Sequence, residues 1–307
     1  MAFVYPDCER KIPPPARFSM AATTGNLEWQ VTEFCNARES MEDRFVVVPY
    51  LECAGTPHGV ALVAVIDGHG GSECAEMLES NIAVRIGKLQ DPFDTAQLTQ
   101  AFLKLDRAIL KAGGASSTSG ACMVLAVIDL ETHRVVIANV GDCRASLVVA
   151  GAMSQRFLTS DHKITDFVER KRIVEAGMIV QYPYMMDPET NNMIMVTRAF
   201  GDAAFKFPPP GEPQKRAALI CDPSFSETTL HQDDILVLMS DGVLESWKAD
   251  HQLPAPATDH RALHDMLVQR ARTARTKDNF TLVTVSDLGA PPAHPQHLAK
   301  RQRTDTE

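Results

Sequence analysis

The chain has 307 residues, 45% of them hydrophobic, and a formal net charge of -9. That length allows one large domain or two small ones with a sizeable core, and no apolar stretch approaches the ~20 residues that span a bilayer. The acidic balance argues against nucleic acid as the main partner, and it repels a phosphate dianion unless cations or local arginines reverse the sign at a site.

Residues 1–24 read as an irregular leader, because Pro13-Pro14-Pro15 blocks regular structure. The start, Met1 to Asp7, has neither the basic residues nor the apolar centre of a signal peptide, and Ala2 excludes myristoylation. Seven scattered cysteines, several inside apolar runs, point to reduced thiols in a cytoplasmic or nuclear protein. Val/Ile-rich runs bounded by Gly, Asp or Pro predict strands at 45–49, 59–66, 121–129, 134–140, 144–150, 235–240 and 280–286. Glu131-Thr132-His133 reads as a hairpin turn between two of them. Apolar periodicity predicts helices at 72–88, 95–112, 165–176 and 260–272. The order is strand, two helices, then a block of hairpins. It predicts an α+β fold of antiparallel sheets with helices packed outside. From about Asp287 the chain turns Pro/His-rich and ends in Lys300-Arg301-Gln302-Arg303. Residues 289–307 read as a disordered tail, and its basic cluster as a solvated run or a nuclear address. Residues 25–288 are left as a single domain.

Three aspartates stand at strand mouths. Asp67 follows the run from Gly59 to Ile66 and precedes Gly68-His69-Gly70-Gly71. Asp241 ends the run from Ile235 to Met239 and precedes Gly242, and Asp278 opens the run from Phe280 to Val285. A strand fixes a carboxylate, and the glycines beside it let a carbonyl oxygen or a phosphate come close. Together the three read as one hard-cation site that the fold assembles. An all-oxygen site suits Mg²⁺ or Mn²⁺.

Upstream lie Arg38 and the adjacent acids Glu42 and Asp43, just before the run Arg44 to Val48. Neighbours on a strand face opposite ways, so both acids do not bind one ion directly. One is placed to hold a metal-bound water while the other supports it. Arg38 offers a planar fork that matches two phosphate oxygens. His69 is a candidate metal ligand or proton donor, and the all-carboxylate site assigns it the general-acid role. Asp142, in Val140-Gly141-Asp142-Cys143, reads as a hairpin residue or as a carboxylate for a further metal.

These stretches, with Leu158 to Lys163, Arg172-Ile173 with Gly177, Val196 to Asp202, and Asp278 to Thr281, occur in one order. Over about residues 27–286 the chain resembles the metal-dependent Ser/Thr protein phosphatases of type 2C. The resemblance implies a central antiparallel β-sandwich flanked by α-helices on both sides, in α-β-β-α layers, with a two-metal centre at one end. It implies two Mg²⁺ or Mn²⁺ ions, with Asp67 bridging them, the Gly68 carbonyl on one, and Asp241 and Asp278 on the other. Glu42 and Asp43 would hold metal-bound waters. Asp142 with Asp241 corresponds to a weaker third-metal site. Arg38 would grip the phosphate and His69 protonate the leaving oxygen. Residues near 165–195 match a variable flap beside the active site. The chain departs from the family's pattern at Gly120-Ala121-Cys122, at Cys143 and at Asn36-Ala37, none of which removes a metal ligand.

The implied reaction is hydrolysis of phosphoserine or phosphothreonine by direct attack of a metal-bridging water, without a phosphoenzyme. The rival Cys-x5-Arg chemistry is not supported, because Cys35, Cys53 and Cys74 lack an Arg six positions on. The expected partners are phosphorylated proteins, with no nucleic acid or membrane, and the expected state is a monomer. Two other functions share these residues. One is a catalytically weak phosphatase-like binding module. The other is a phosphomonoesterase for small molecules.

Overall fold

The computed structural model describes residues 17–24, 26–150, 155–206, 217–244, 259–273 and 277–288. The first block of strands is β1 (Arg17–Thr24), β2 (Leu27–Phe34), β3 (Arg44–Cys53) and β4 (Thr56–His69). Helices α1 (Glu73–Ile86), α2 (Thr95–Ala112) and the short α3 (Gly114–Thr118) follow. Strands β5 (Gly120–Asp129), β6 (Arg134–Val140), β7 (Arg144–Val148) and β8 (Gln155–Phe157) form the hairpin block. Then come α4 (Phe167–Glu175), β9 (Ile179–Gln181), β10 (Tyr184–Met186), β11 (Met193–Ile194), β12 (Phe200–Gly201) and α5 (Ala203–Lys206). The last described elements are β13 (Ser224–Thr229), β14 (Ile235–Met239), α6 (Asp241–Leu244), α7 (His260–Thr273) and β15 (Phe280–Asp287).

Two antiparallel sheets face each other. One runs β1-β2-β15-β14-β7-β8, and the other runs β13-β6-β5-β4-β3 with β12 added against the start of β5. Side-chain parity shows how they stack. On β4, Ala61, Val63 and Val65 pack between the sheets, while Val60, Leu62, Ala64 and Ile66 pack under α1 and α2. On β14, Leu236 and Leu238 join the inter-sheet core, while Ile235, Val237 and Met239 meet Leu263 and Leu267 of α7. The layers are therefore α-β-β-α, as the sequence implied. Strands covered on both faces bury both parities. This is why β4 and β5 read as unbroken apolar runs rather than as alternation.

Helices α2 and α4 begin where an aspartate side chain satisfies free backbone donors. Asp94 accepts from the Ala96 and Gln97 amides at the start of α2, and Asp166 does the same for Val168 and Glu169 at α4. Asp129 shapes the β5–β6 turn by accepting from the Glu131 and Thr132 amides, and His133 sits there at φ 56.

The leader prediction needs correction. Residues 17–24 form β1, paired with β2 from Arg17 opposite Phe34 to Thr24 opposite Leu27. A hairpin signal, Gly25-Asn26, stands between the two in the sequence. Residues 1–16, including the three prolines, and the tail 289–307 lie outside the described residues. The expected flap is α4 with the three-stranded sheet β11-β10-β9, docked on the inter-sheet core through Ile173, Met185 and Ile194. Among the described residues, no helix is long and apolar enough to cross a membrane.

Candidate metal centre

The five aspartates proposed as ligands or their supports meet at one rim of the sandwich, because antiparallel strands bring the starts of β3, β7 and β15 beside the ends of β4, β6 and β14. Asp67 continues the inward parity of Ala61, Val63 and Val65, opposite Cys122 on β5. Asp43 precedes Arg44 at the start of β3, with the parity of inward-facing Phe45, and is 1% exposed. Glu42 has the opposite parity and lies partly exposed. Asp241 follows β14 and opens α6, with its amide 3.4 Å from Asp67 Oδ2. Asp142 lies on the turn from β6 to β7, and Asp278 lies two residues before β15. One carboxylate oxygen each from Asp67, Asp142 and Asp241 falls within 4.8 Å of the other two.

Such crowding is costly for carboxylates alone. Burial, then the charges of Asp43, Asp241, Asp142 and Asp278, push Asp67 well above the usual carboxylate range. Asp43 is raised by burial first. The hydrogen bond from Ser240 Oγ at 2.9 Å opposes that rise, and the charges of Asp241 and Asp278 add to it. A donor set of this kind fits hard divalent cations, which neutralise the charge that the protein leaves unbalanced.

The chain supplies cations of its own at two edges. Lys163 Nζ lies 2.9 Å from Asp142 Oδ2 and 3.4 Å from Asp161 Oδ2. Arg38 Nη2 donates to Asp278 Oδ2 at 2.7 Å, with 55% of its side chain exposed. That exposure leaves the rest of the guanidinium open to solvent. The Asp142 turn is fixed from behind, where the Gly141 amide donates to His162 Nδ1 at 3.0 Å. Burial first, and then the Arg198 charge, lower His162 to about 4, so the ring is the neutral acceptor that this bond requires.

Glu42 is held by Ser40 Oγ at 3.0 Å and by the Gly71 amide at 3.3 Å. Gly68 passes so close to this loop that a Cβ there would lie 2.4 Å from the Glu42 carbonyl oxygen, so the approach requires glycine. His69 Nε2 is 2.8 Å from Asp202 Oδ2. Burial works against the imidazolium of His69. The Asp202 hydrogen bond and the charges of Asp202, Asp142 and Glu42 outweigh it and raise the ring above its ordinary value.

All nine residues singled out in the sequence, Arg38, Glu42, Asp43, Asp67, Gly68, His69, Asp142, Asp241 and Asp278, thus lie at one rim. Four others there were given no role. Asn279 accepts from the Glu42 amide at 2.8 Å and donates to the carbonyls of Cys35 and Ser40, which ties the Arg38 loop to the start of β15. Ser240, Lys163 and Asp202 carry the contacts already described. Asn279 and Ser240 adjoin the candidate ligands Asp278 and Asp241, and that position is the available signal; Lys163 and Asp202 stand beside His162 and Gly201, which carry no such signal.

A family model described as Protein phosphatase 2C matches residues 27–278. A relative from Oryza sativa subsp. japonica, probable protein phosphatase 2C 2, is 29% identical over 252 residues, covering 75% of this chain and 63% of the relative. Probable protein phosphatase 2C 22 of Arabidopsis thaliana is 30% identical over 288 residues, covering 87% of this chain and 70% of the relative. The chain therefore spans a little under two thirds of that rice relative's length. Among solved structures, a phosphatase from Toxoplasma gondii has a similar fold, with a TM-score of 0.74 at 20% identity, over 91% of this chain and 98% of the other.

Proposed function

The chain belongs to the protein phosphatase 2C family, and we propose that it hydrolyses phosphoserine and phosphothreonine monoesters on proteins. The observation that carries this reading is the convergence of Asp67, Asp142 and Asp241 within 4.8 Å at a rim that also holds Arg38 and His69. The family is metal-dependent. Asp67, the Gly68 carbonyl, Asp241 and Asp278 would hold two Mg²⁺ or Mn²⁺ ions, and Asp142 with Asp241 would hold a third. When bound, such ions supply charge neutralisation and Lewis-acid activation of the attacking water.

The remaining work belongs to the chain's own side chains. Arg38 receives two phosphate oxygens on its fork and stabilises them as charge redistributes. Its bond to Asp278 keeps it pointed at the cluster. Glu42 and Asp43, anchored by Ser40 and Ser240, orient water at the rim. His69 delivers a proton to the departing serine or threonine oxygen. No side-chain nucleophile is needed. The described cysteines support that: Cys35, Cys53, Cys74, Cys122, Cys143 and Cys221 are all buried. Burial, the largest cause, raises the thiols of Cys122 and Cys143, which flank the site, well above their ordinary value. Metal-dependent release of phosphate from a phosphothreonine peptide tests the proposal.

A further inference from the structure

We propose that Asp202 is a positioning residue for His69. Its carboxylate fixes the imidazole through Nε2, sets the tautomer and turns Nδ1 toward the leaving oxygen. This rests on the general-acid role given above to His69.

Asp202 reaches His69 across 133 positions of sequence, with Oδ2 2.8 Å from Nε2. Its side chain is 7% exposed, against 33% for His69. The carboxylate is therefore the buried partner, and the imidazole is the solvent-facing one. A buried carboxylate is costly without a donor, and the ring N–H supplies one. Carboxylate oxygens only accept, so the hydrogen belongs to Nε2 and Nδ1 is left for the substrate. Asp202 is not part of the cluster formed by Asp67, Asp142 and Asp241. Its charge is directed at a ring, not at the candidate cation site.

The backbone is shaped around this contact. Asp202 adopts φ 52, a left-handed conformation that is uncommon outside glycine. Its amide donates to the Ser119 carbonyl at 3.0 Å, and its carbonyl accepts from the Phe205 amide at 2.9 Å. The preceding residue, Gly201, pairs with Gly120 of β5. A Cβ on Gly120 would lie 2.0 Å from Asp202 Oδ2 and 2.3 Å from His69 Nε2. The side-chain space of Gly120 is thus filled by the hydrogen bond itself. A strained turn, an empty side-chain position and a buried acid all converge on one bond.

In the step this serves, the P–O bond to the leaving group breaks and its electron pair stays on the oxygen. The Nδ1 proton moves to that oxygen, and neutral His69 remains, with Nε2–H still held by Asp202. Asparagine in place of Asp202 keeps the shape but offers both a donor and an acceptor, so the tautomer is no longer set.

The test compares wild type, Asp202→Asn, His69→Gln and the double variant with Mn²⁺, on a phosphothreonine peptide and on p-nitrophenyl phosphate, whose leaving group needs little protonation. For Asp202→Asn the expected result is a fall in kcat of roughly tenfold or more on the peptide, with the aryl phosphate within about threefold. Mn²⁺ affinity should be unchanged, and the double variant should be no slower than His69→Gln alone. Equal losses on both substrates, or losses that multiply in the double variant, overturn the positioning role. If Asp202→Asn does not fold, the wild-type chain decides: ¹⁵N NMR of His69 in the metal-free protein, at a pH high enough that the ring is neutral, should give the Nε2–H tautomer, and Nδ1–H overturns the assignment. A wild-type protein inactive on both substrates defeats the phosphatase reading and this role with it. Failure of Asp202→Asn alone, with the substrate split intact in His69→Gln, removes only the positioning role.

Discussion

Lys163 Nζ sits 2.9 Å from Asp142 Oδ2, so one carboxylate of the candidate metal cluster already carries a cation belonging to the chain. Both groups are largely buried, with side-chain exposures of 28% and 7%. A divalent ion at Asp142 therefore competes with a tethered ammonium. Lys163→Met removes the competitor and leaves the acid unpaired. We expect it to bind Mn²⁺ at least roughly tenfold more tightly, a difference of about 1.4 kcal/mol, and to melt at a lower temperature when metal-free. Titration calorimetry with Mn²⁺ and a melt in EDTA check both. Unchanged affinity and stability would mean that the pair is not coupled to cation binding.

Asp241 sits where β14 gives way to α6, with its amide directed at Asp67. Asp241→Asn keeps the shape and removes one negative charge from the cluster. Turnover on a phosphopeptide should drop by about two orders of magnitude or more, with circular dichroism unchanged. The stabilisation by Mn²⁺ in a thermal melt should shrink as well. Near-normal turnover would show that Asp241 does not hold an essential cation.

His69→Gln tests the proton donor by the leaving group. A serine or threonine alkoxide needs a proton, whereas p-nitrophenolate does not. The variant should lose roughly 10²-fold on phosphopeptide and far less on the aryl ester. Equal losses would assign His69 to structure or binding.

The turn behind Asp142 gives a pH signature. His162 is buried, accepts the Gly141 N–H and has its pKa lowered to about 4, by burial first. An unfolded histidine takes up its proton near ~6.5, so between ~6.5 and about 4 the unfolded chain binds more protons. The stability from this neutral ring is present above that window and is lost as pH falls through it. From pH ~7.5 to ~5 the loss is about 2 kcal/mol on these values. His162→Gln should lack this component. The difference between wild-type and variant urea midpoints in EDTA should therefore narrow as pH drops. Parallel pH curves would contradict a buried neutral His162.

Glu169 is the opposite charge type. Burial raises its pKa, but Arg198, Thr197 and Arg172 outweigh burial and hold it at about 2. Its ion pairs tie α4 of the flap to Arg198, whose guanidinium also donates to the Asp222 carbonyl. Glu169→Gln leaves two arginines without their charge partner. We expect a loss of about 3 kcal/mol at neutral pH, read in urea melts, and earlier proteolysis within residues 165–195. The penalty should persist at pH ~5 and fade only as pH falls from ~4.3 toward about 2. A flap as protease-resistant as in the wild type would contradict the anchoring role.

Much of this architecture was legible in the sequence because both sheets are covered on both faces. Strands such as β4 and β5 must then be apolar throughout, and Asp67 stood out as the charge that ends such a run. Strand β2 was missed for the converse reason. Its Trp29 and Val31 enter the inter-sheet core, but Gln30 and Thr32 turn to the other face. There Thr32 meets His264 of α7 at 2.9 Å. A polar network in place of apolar packing hides the strand from any hydrophobic pattern. The ligand candidates were legible one by one, since each marks a strand end. Their partners were not. Lys163 on Asp142, Asn279 on the Glu42 amide and Asp202 on His69 are contacts between distant segments, and residue type alone does not tell which of many lysines or aspartates makes them. Both Lys163 and Asp202 could instead have faced solvent without altering the local pattern.

The most direct test of the central claim is phosphate release from a phosphothreonine peptide by the purified 307-residue chain, with Mn²⁺, with Mg²⁺ and with EDTA. The account predicts steady turnover with metal that EDTA abolishes and re-added Mn²⁺ restores. A folded protein that releases no phosphate with either metal, or that works equally well in EDTA, would contradict it.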